Sequence, residues 1–137
     1  DADERRVLCE FHRAANRGAH GPAVACSAHL ESEELFGCGA GYHHLYVDAA
    51  GEVCPCDLTP LSFGNAFAEP LPGIWDRMAR CFPAPRCECA MARLAGSLTA
   101  GEQLPLPRER SERLCAALPA DGRLPQGYRR LLTSRRP

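Results

Sequence analysis

The feature that most constrains this chain is a pair of cysteines set around a reversal of the backbone. Twelve residues separate Cys38 from Gly51, and four more separate Gly51 from Cys56. Between the two thiols, His43 to Asp48 (HHLYVD) carries aromatic and β-branched residues in strand-like alternation. Asp48-Ala49-Ala50-Gly51 reads as a tight turn, with Gly51 where a positive φ reverses the chain. Glu52 to Cys56 reads as the returning strand. Such a hairpin carries Cys38, just before it, and Cys56, at its end, to one edge of the sheet. Alternation puts Cys54 on the same face as Cys56, yet Pro55 between them breaks that regularity. It also sends His43 and His44 to opposite faces, so at most one imidazole approaches the site. Two thiols held on rigid backbone invite a metal.

The remaining cysteines narrow the choice. There are nine in 137 residues, with close pairs at Cys54-Pro55-Cys56 and Cys87-Glu88-Cys89, and five residues between Cys81 and Cys87. No pair has the Cys-x2-Cys or Cys-x4-Cys spacing of a zinc knuckle. Widely separated thiols closed by a later cysteine group suit an iron–sulfur cluster, which is larger than one ion. An odd number of cysteines behind a charged, amphipathic start (DADERRVLCEF) does not read as a secreted disulfide scaffold. A metal in the reducing cytoplasm is the expectation. The net charge of −1, with every basic residue an Arg, points to neither nucleic acid nor an anionic membrane. No run approaches the ~20 apolar residues of a membrane span.

Cys38-x12-Gly51-x4-Cys56, then Phe63-Gly64-Asn65, a helix with Ile74-Trp75 and a terminal cysteine group resemble the SPASM/twitch domain. That family binds auxiliary [4Fe–4S] clusters at the C-terminal end of radical S-adenosylmethionine (SAM) enzymes, and the resemblance runs from about Gly37 to Met91. It implies an iron–sulfur cofactor held by Cys38, Cys56, Cys87 and Cys89, with Cys81 as the substitute ligand. The family's full pattern holds two clusters on Cys-x2-Cys-x5-Cys-x3-Cys and further thiols. Here Met78 occupies the first of those positions, and Cys89 follows Cys87 after one residue instead of three. A single [4Fe–4S] cluster, nearer the twitch form, is therefore expected. Cys54 is then a packed thiol beside it.

The resemblance also implies a role. Four thiolates leave no iron open, so the cluster transfers electrons or supports structure. The Cys-x3-Cys-x2-Cys core that binds SAM is not in this sequence, so SAM chemistry would come from a radical SAM barrel, upstream in cis or supplied in trans. A peptide or small molecule is the implied substrate class. The competing reading is a zinc-binding structural or interaction module on the same four cysteines. A redox-active thiol protein is weaker, because Cys54-Pro55-Cys56 lacks the spacing and following helix that activate a thiol.

Around this centre the expected fold is α+β: a β-hairpin and a following helix around a cysteine-bound cluster, flanked by N- and C-terminal helices. Residues 1–36 form an N-terminal helix and connection, 37–94 the cluster-binding domain, and 95–137 a linker, short helix and basic tail. Residues 1–17 make an amphipathic helix capped by Asp1 or Asp3, with Val7, Leu8, Phe11, Ala14 and Ala15 on its apolar face. Cys9 and His12 read as a small buried thiol and a half-exposed imidazole. Ala23 to Ala28 reads as a short strand, Ser32 to Phe36 as a helical turn, and His20 and His29 as solvated loop residues. Glu69 to Arg80 reads as a helix, Pro70 and Pro72 opening it and Leu71, Ile74, Trp75 and Met78 facing the core. Pro107 to Leu118 reads as a short helix burying Cys115.

Overall fold

The periodic and alternating segments close on each other in the computed structural model, which describes residues 2–18, 21–119 and 122–134. In chain order they are α1 (Ala2–Ala15), α2 (Ser27–Leu30), β1 (Tyr46–Val47), β2 (Val53–Cys54), α3 (Leu71–Cys81), α4 (Ala90–Leu94), α5 (Arg108–Ala116) and α6 (Gln126–Ser134). The architecture is the expected small α+β fold, with helices at both ends. Among the described residues no helix is long and apolar enough to cross a membrane.

The hairpin forms in antiparallel register, Tyr46 opposite Cys54 and Val47 opposite Val53. Its turn is built by Asp48, whose carboxylate accepts from the Ala50 and Glu52 N–H groups at 2.8 and 2.9 Å. Gly51 takes φ +86°, the left-handed conformation that an L side chain resists. The strands are shorter than expected, because residues 41–43 turn rather than extend. The His43 and His44 rings consequently meet edge to face, 4.9 Å apart, instead of pointing to opposite faces.

Val53 is the hinge of the core. On the side away from β1, its N–H donates to Gly64 O at 2.8 Å and its O accepts from Phe63 N–H at 2.9 Å. The chain after the hairpin therefore folds back as a third, irregular ribbon. Asn65 locks it there, donating to Ala50 O and Glu52 Oε1, both at 2.9 Å. The Arg77 guanidinium of α3 donates to Phe63 O at 3.1 and 3.0 Å and pairs with Glu69 at 2.5 Å. Against this ribbon α3 buries Ile74 and Met78, with Trp75 packed at the margin, while Leu71 is left exposed. Phe63, Phe82, Leu61, Leu94 and Leu106 complete the core, each fully buried side chain contributing about 1.5–3 kcal/mol relative to exposure. Leu106, Leu114 and Cys115, beyond the hairpin and α3, belong to that same core.

The ends differ from expectation. Residues 22–26 are irregular and the following segment is helical, so the strand predicted there does not form. The proposed capping by Asp1 lies outside the described residues, as does His20, and Asp3 sits inside the first turn of α1. Val7, Leu8 and Phe11 on α1 are largely exposed rather than buried. His29 is buried, not solvated, and its ring meets that of His12 tilted at 55°, with centroids 4.7 Å apart. The basic end forms α6. Its start is pinned by Gln126 and Gly127 N–H groups donating to Glu33 O and Leu35 O at 2.8 and 2.7 Å.

Two expected outcomes follow from this packing. Gly37 has φ +61°, and a Cβ there would lie 2.2 Å from Arg86 O and 2.5 Å from Pro125 Cγ. Gly37→Ala should lower stability by at least about 1–3 kcal/mol in urea titration, whereas Gly96→Ala, with nothing within 4 Å, should change it little. Burial, reinforced by the charges of Arg13 and His12, lowers the His29 pKa from 6.5. The unfolded chain thus binds the proton more readily, so this contribution is complete above pH 6.5 and lost as pH falls through the lowered value. Thermal melts from pH 8 to 5 should show that loss, and His29→Gln should flatten it.

Candidate metal centre

The cysteines are brought together by backbone pairing across a long stretch of sequence. Cys38 and Arg86 form an antiparallel bridge: Cys38 N–H donates to Arg86 O at 2.7 Å and Arg86 N–H to Cys38 O at 2.9 Å. Cys87 follows directly, so two thiols from opposite ends of the core become neighbours. Arg86 is itself buried, its guanidinium 5.4 Å from the Phe82 ring centroid and 3.4 Å from Pro119 O. The side chain anchors this strand-like piece from below while its backbone aligns Cys38. Pro83 and Pro85 stiffen the approach from α3, and Cys89 ends the segment by preceding α4.

Cys38, Cys87 and Cys89 line one cavity of about 330 Å³. Cys38 and Cys87 are buried, Cys89 exposed. Burial is the largest influence on Cys38 and raises its pKa; the backbone N–H groups of Ala90 and Ala40 act in the opposite sense. Cys56 and Cys89 lie near enough for their charges to act on Cys38 as well. The Cys38 thiol thus resists ionisation in the bare protein, and a bound cation would supply the missing compensation. Cys56 itself faces a neighbouring cavity, with its Sγ 2.9 Å from Thr59 Oγ1. Among the described residues, no three His, Cys, Asp or Glu side chains are grouped closely enough to hold one metal ion.

The other candidates sit elsewhere. Cys54 is buried on β2, its thiol pushed up to about 11 by burial and by the charges of Asp48 and Glu52. Cys81, at the end of α3, lines a different cavity, together with Cys115. Cys9 and Cys26 are half-buried on or beside α1 and α2. His43 Nδ1 is 2.9 Å from the Tyr128 hydroxyl, which ties the turn after Cys38 to α6.

The wall of the thiol cavity is what sequence reasoning missed. Glu4, Arg5 and Leu8 of α1, with Ala28 and Glu31, line it opposite the cysteines. Arg5 is held in place by donating to Ala28 O and Glu31 O, both at 3.2 Å. The spacing of Glu4 and Leu8 marks one helical face, but nothing local says which surface that face meets.

The donor chemistry fits an iron–sulfur cluster: soft thiols from separated segments around a cavity rather than a point. No curated protein and no solved structure matches the chain. Residues 38–90 match the family model of SPASM, an iron-sulfur cluster-binding domain.

Proposed function

We propose that this chain holds one [4Fe–4S] cluster on Cys38, Cys56, Cys87 and Cys89, and that it serves a radical SAM barrel as an auxiliary electron-transfer or structural unit. The barrel would lie upstream in cis or be supplied in trans, within the cytoplasm, and the shared substrate would be a peptide or small molecule. The observation that carries the reading is the Cys38–Arg86 bridge, which sets Cys38 beside Cys87 and Cys89 around one cavity. Cys56 is the outlying member. Joining the others would exchange its Thr59 contact for iron.

Bound there, a cluster of this type supplies one-electron transfer and cross-links the segments that ligate it. The chain's own residues do the rest. Ala40 and Ala90 N–H groups offset negative charge on the Cys38 sulfur. Leu8 adds an apolar side chain, and Arg5 positive charge, to the wall facing the thiols. With all four thiolates engaged, no iron site is left for substrate. The competing zinc reading needs a tight group of donors, and none is formed among the described residues.

Anaerobic purification followed by iron and acid-labile sulfide analysis tests the proposal. About four irons per chain and a brown chromophore are expected. Stoichiometric zinc with no sulfide would overturn it. Cys38→Ala and Cys56→Ala should each bleach the visible absorption and lower the melting temperature, because cluster binding is coupled to folding. Cys9→Ala should retain the chromophore. A full complement of iron in Cys56→Ala would remove that residue from the ligand set.

A further inference from the structure

The N-terminal helix α1 meets the rest of the chain through polar side chains rather than apolar ones. Arg5, Cys9, His12 and Asn16 are spaced four, three and four residues apart, which sets them along one face of the helix. Both ends of this row reach the segment that leads into and through α2. Arg5 donates to Ala28 O and Glu31 O. Asn16 donates to Val24 O at 2.8 Å and accepts from Val24 N–H at 3.1 Å. Between these contacts the His12 and His29 rings meet, 4.7 Å apart. Cys9 precedes His12 by one turn of α1. Cys26 caps α2, its carbonyl accepting from His29 N–H at 3.0 Å.

Among the described side chains of α1, only Cys9 and His12 are withdrawn from solvent, while Val7, Leu8 and Phe11 stay exposed. Nδ1 of His12 and Nδ1 of His29 are both buried without a hydrogen-bond partner, and His29 is only 8% exposed. An unpaired buried nitrogen is unfavourable, and the same nitrogen on a neutral imidazole is a good metal ligand. We propose that Cys9, His12, Cys26 and His29 form a zinc-binding site that staples α1 to α2. It uses none of the four proposed cluster ligands and does not depend on them.

The sequence carries the same element twice, Cys-x2-His, at Cys9-Glu10-Phe11-His12 and at Cys26-Ser27-Ala28-His29. Each copy sets a thiol and an imidazole three residues apart, the spacing of neighbours on a helix. Two thiolates and two neutral imidazoles are a tetrahedral donor set that suits zinc, and the thiolate charges balance the ion. On binding, each thiol gives its proton to solvent, and the unpaired Nδ1 atoms bond the metal. Among the described residues no three such donors meet at one point. The imidazoles are the pair in contact, and the ion would draw the two thiols in to them. This buried, unpaired nitrogen pair is what zinc on the cluster cysteines lacks. Glu4, Arg5 and Leu8 of the same helix line the thiol cavity, so the staple holds that wall in place.

The test uses the full, iron-loaded chain, equilibrated anaerobically with one equivalent of zinc sulfate and desalted before zinc and iron are quantified. About one zinc per chain is expected, with iron unchanged. X-ray absorption at the zinc edge should show two sulfur neighbours at about 2.3 Å and two nitrogens at about 2.0–2.1 Å. Cys26→Ser and His12→Gln should lose zinc and keep iron. Cys38→Ala should lose iron yet keep the mixed sulfur–nitrogen shell, so failure of this site and failure of the cluster reading are told apart. An unsubstituted chain that retains no zinc, or a shell of four sulfurs, would overturn the proposal, and neither measurement needs a variant to fold. Zinc kept by both Cys26→Ser and His12→Gln would overturn it as well.

Discussion

Two hydrogen bonds between Cys38 and Arg86 hold the centre of this molecule together. They join the residue before the hairpin to the residue before the last cysteine pair, and without them the thiols would belong to independent loops. The bridge is sterically demanding. Gly37 must adopt a left-handed conformation, because any Cβ would collide with the Arg86 carbonyl that Cys38 binds. Gly41 is similarly pressed, its open side filled by the Phe82 ring. Backbone pairing, glycine and a buried arginine thus act together to align sulfur.

The hydrophobic core supplies the rigidity that this alignment needs. Val53 pairs on both sides, to β1 and to the ribbon at Phe63 and Gly64, so the hairpin end bearing Cys56 is fixed to the same unit as α3. Leu61 pairs with Leu106, and Ser111 accepts from Ser62 N–H while donating to Leu106 O. The C-terminal region is therefore part of the support for the centre rather than an appendage to it. Packing of α5 against α3 also explains how Cys81 and Cys115, distant in sequence, come to line one cavity.

Much of the centre was legible because its signals are local. The turn at Asp48–Gly51, the apolar positions Ile74 and Met78, and the spacing of Cys38, Gly51 and Cys56 each express short-range stereochemistry. The errors share a cause too. His29 was read as solvated because its burial depends on α1 packing across it. The segment Gln126–Ser134 was read as a tail because its helix is anchored by carbonyls of Glu33 and Leu35. Val7 and Phe11 lie on an apolar face, yet periodicity alone cannot say whether a partner surface covers it.

The amino-acid sequence by itself determined the hairpin, the helix after it and the α+β class, and it carried the resemblance to an iron–sulfur cluster-binding domain over residues 38–90, because these rest on spacing, turn chemistry and side-chain period. Only the tertiary structure decided which sulfurs share a cavity. Cys81 lies closer in sequence to Cys87 than Cys38 does, but at the end of α3 it lines the cavity of Cys115, while the Arg86 bridge draws Cys38 to Cys87. The direction in which a thiol points is set by the backbone that carries it. That backbone is oriented by long-range hydrogen bonds and core packing, which no local pattern encodes.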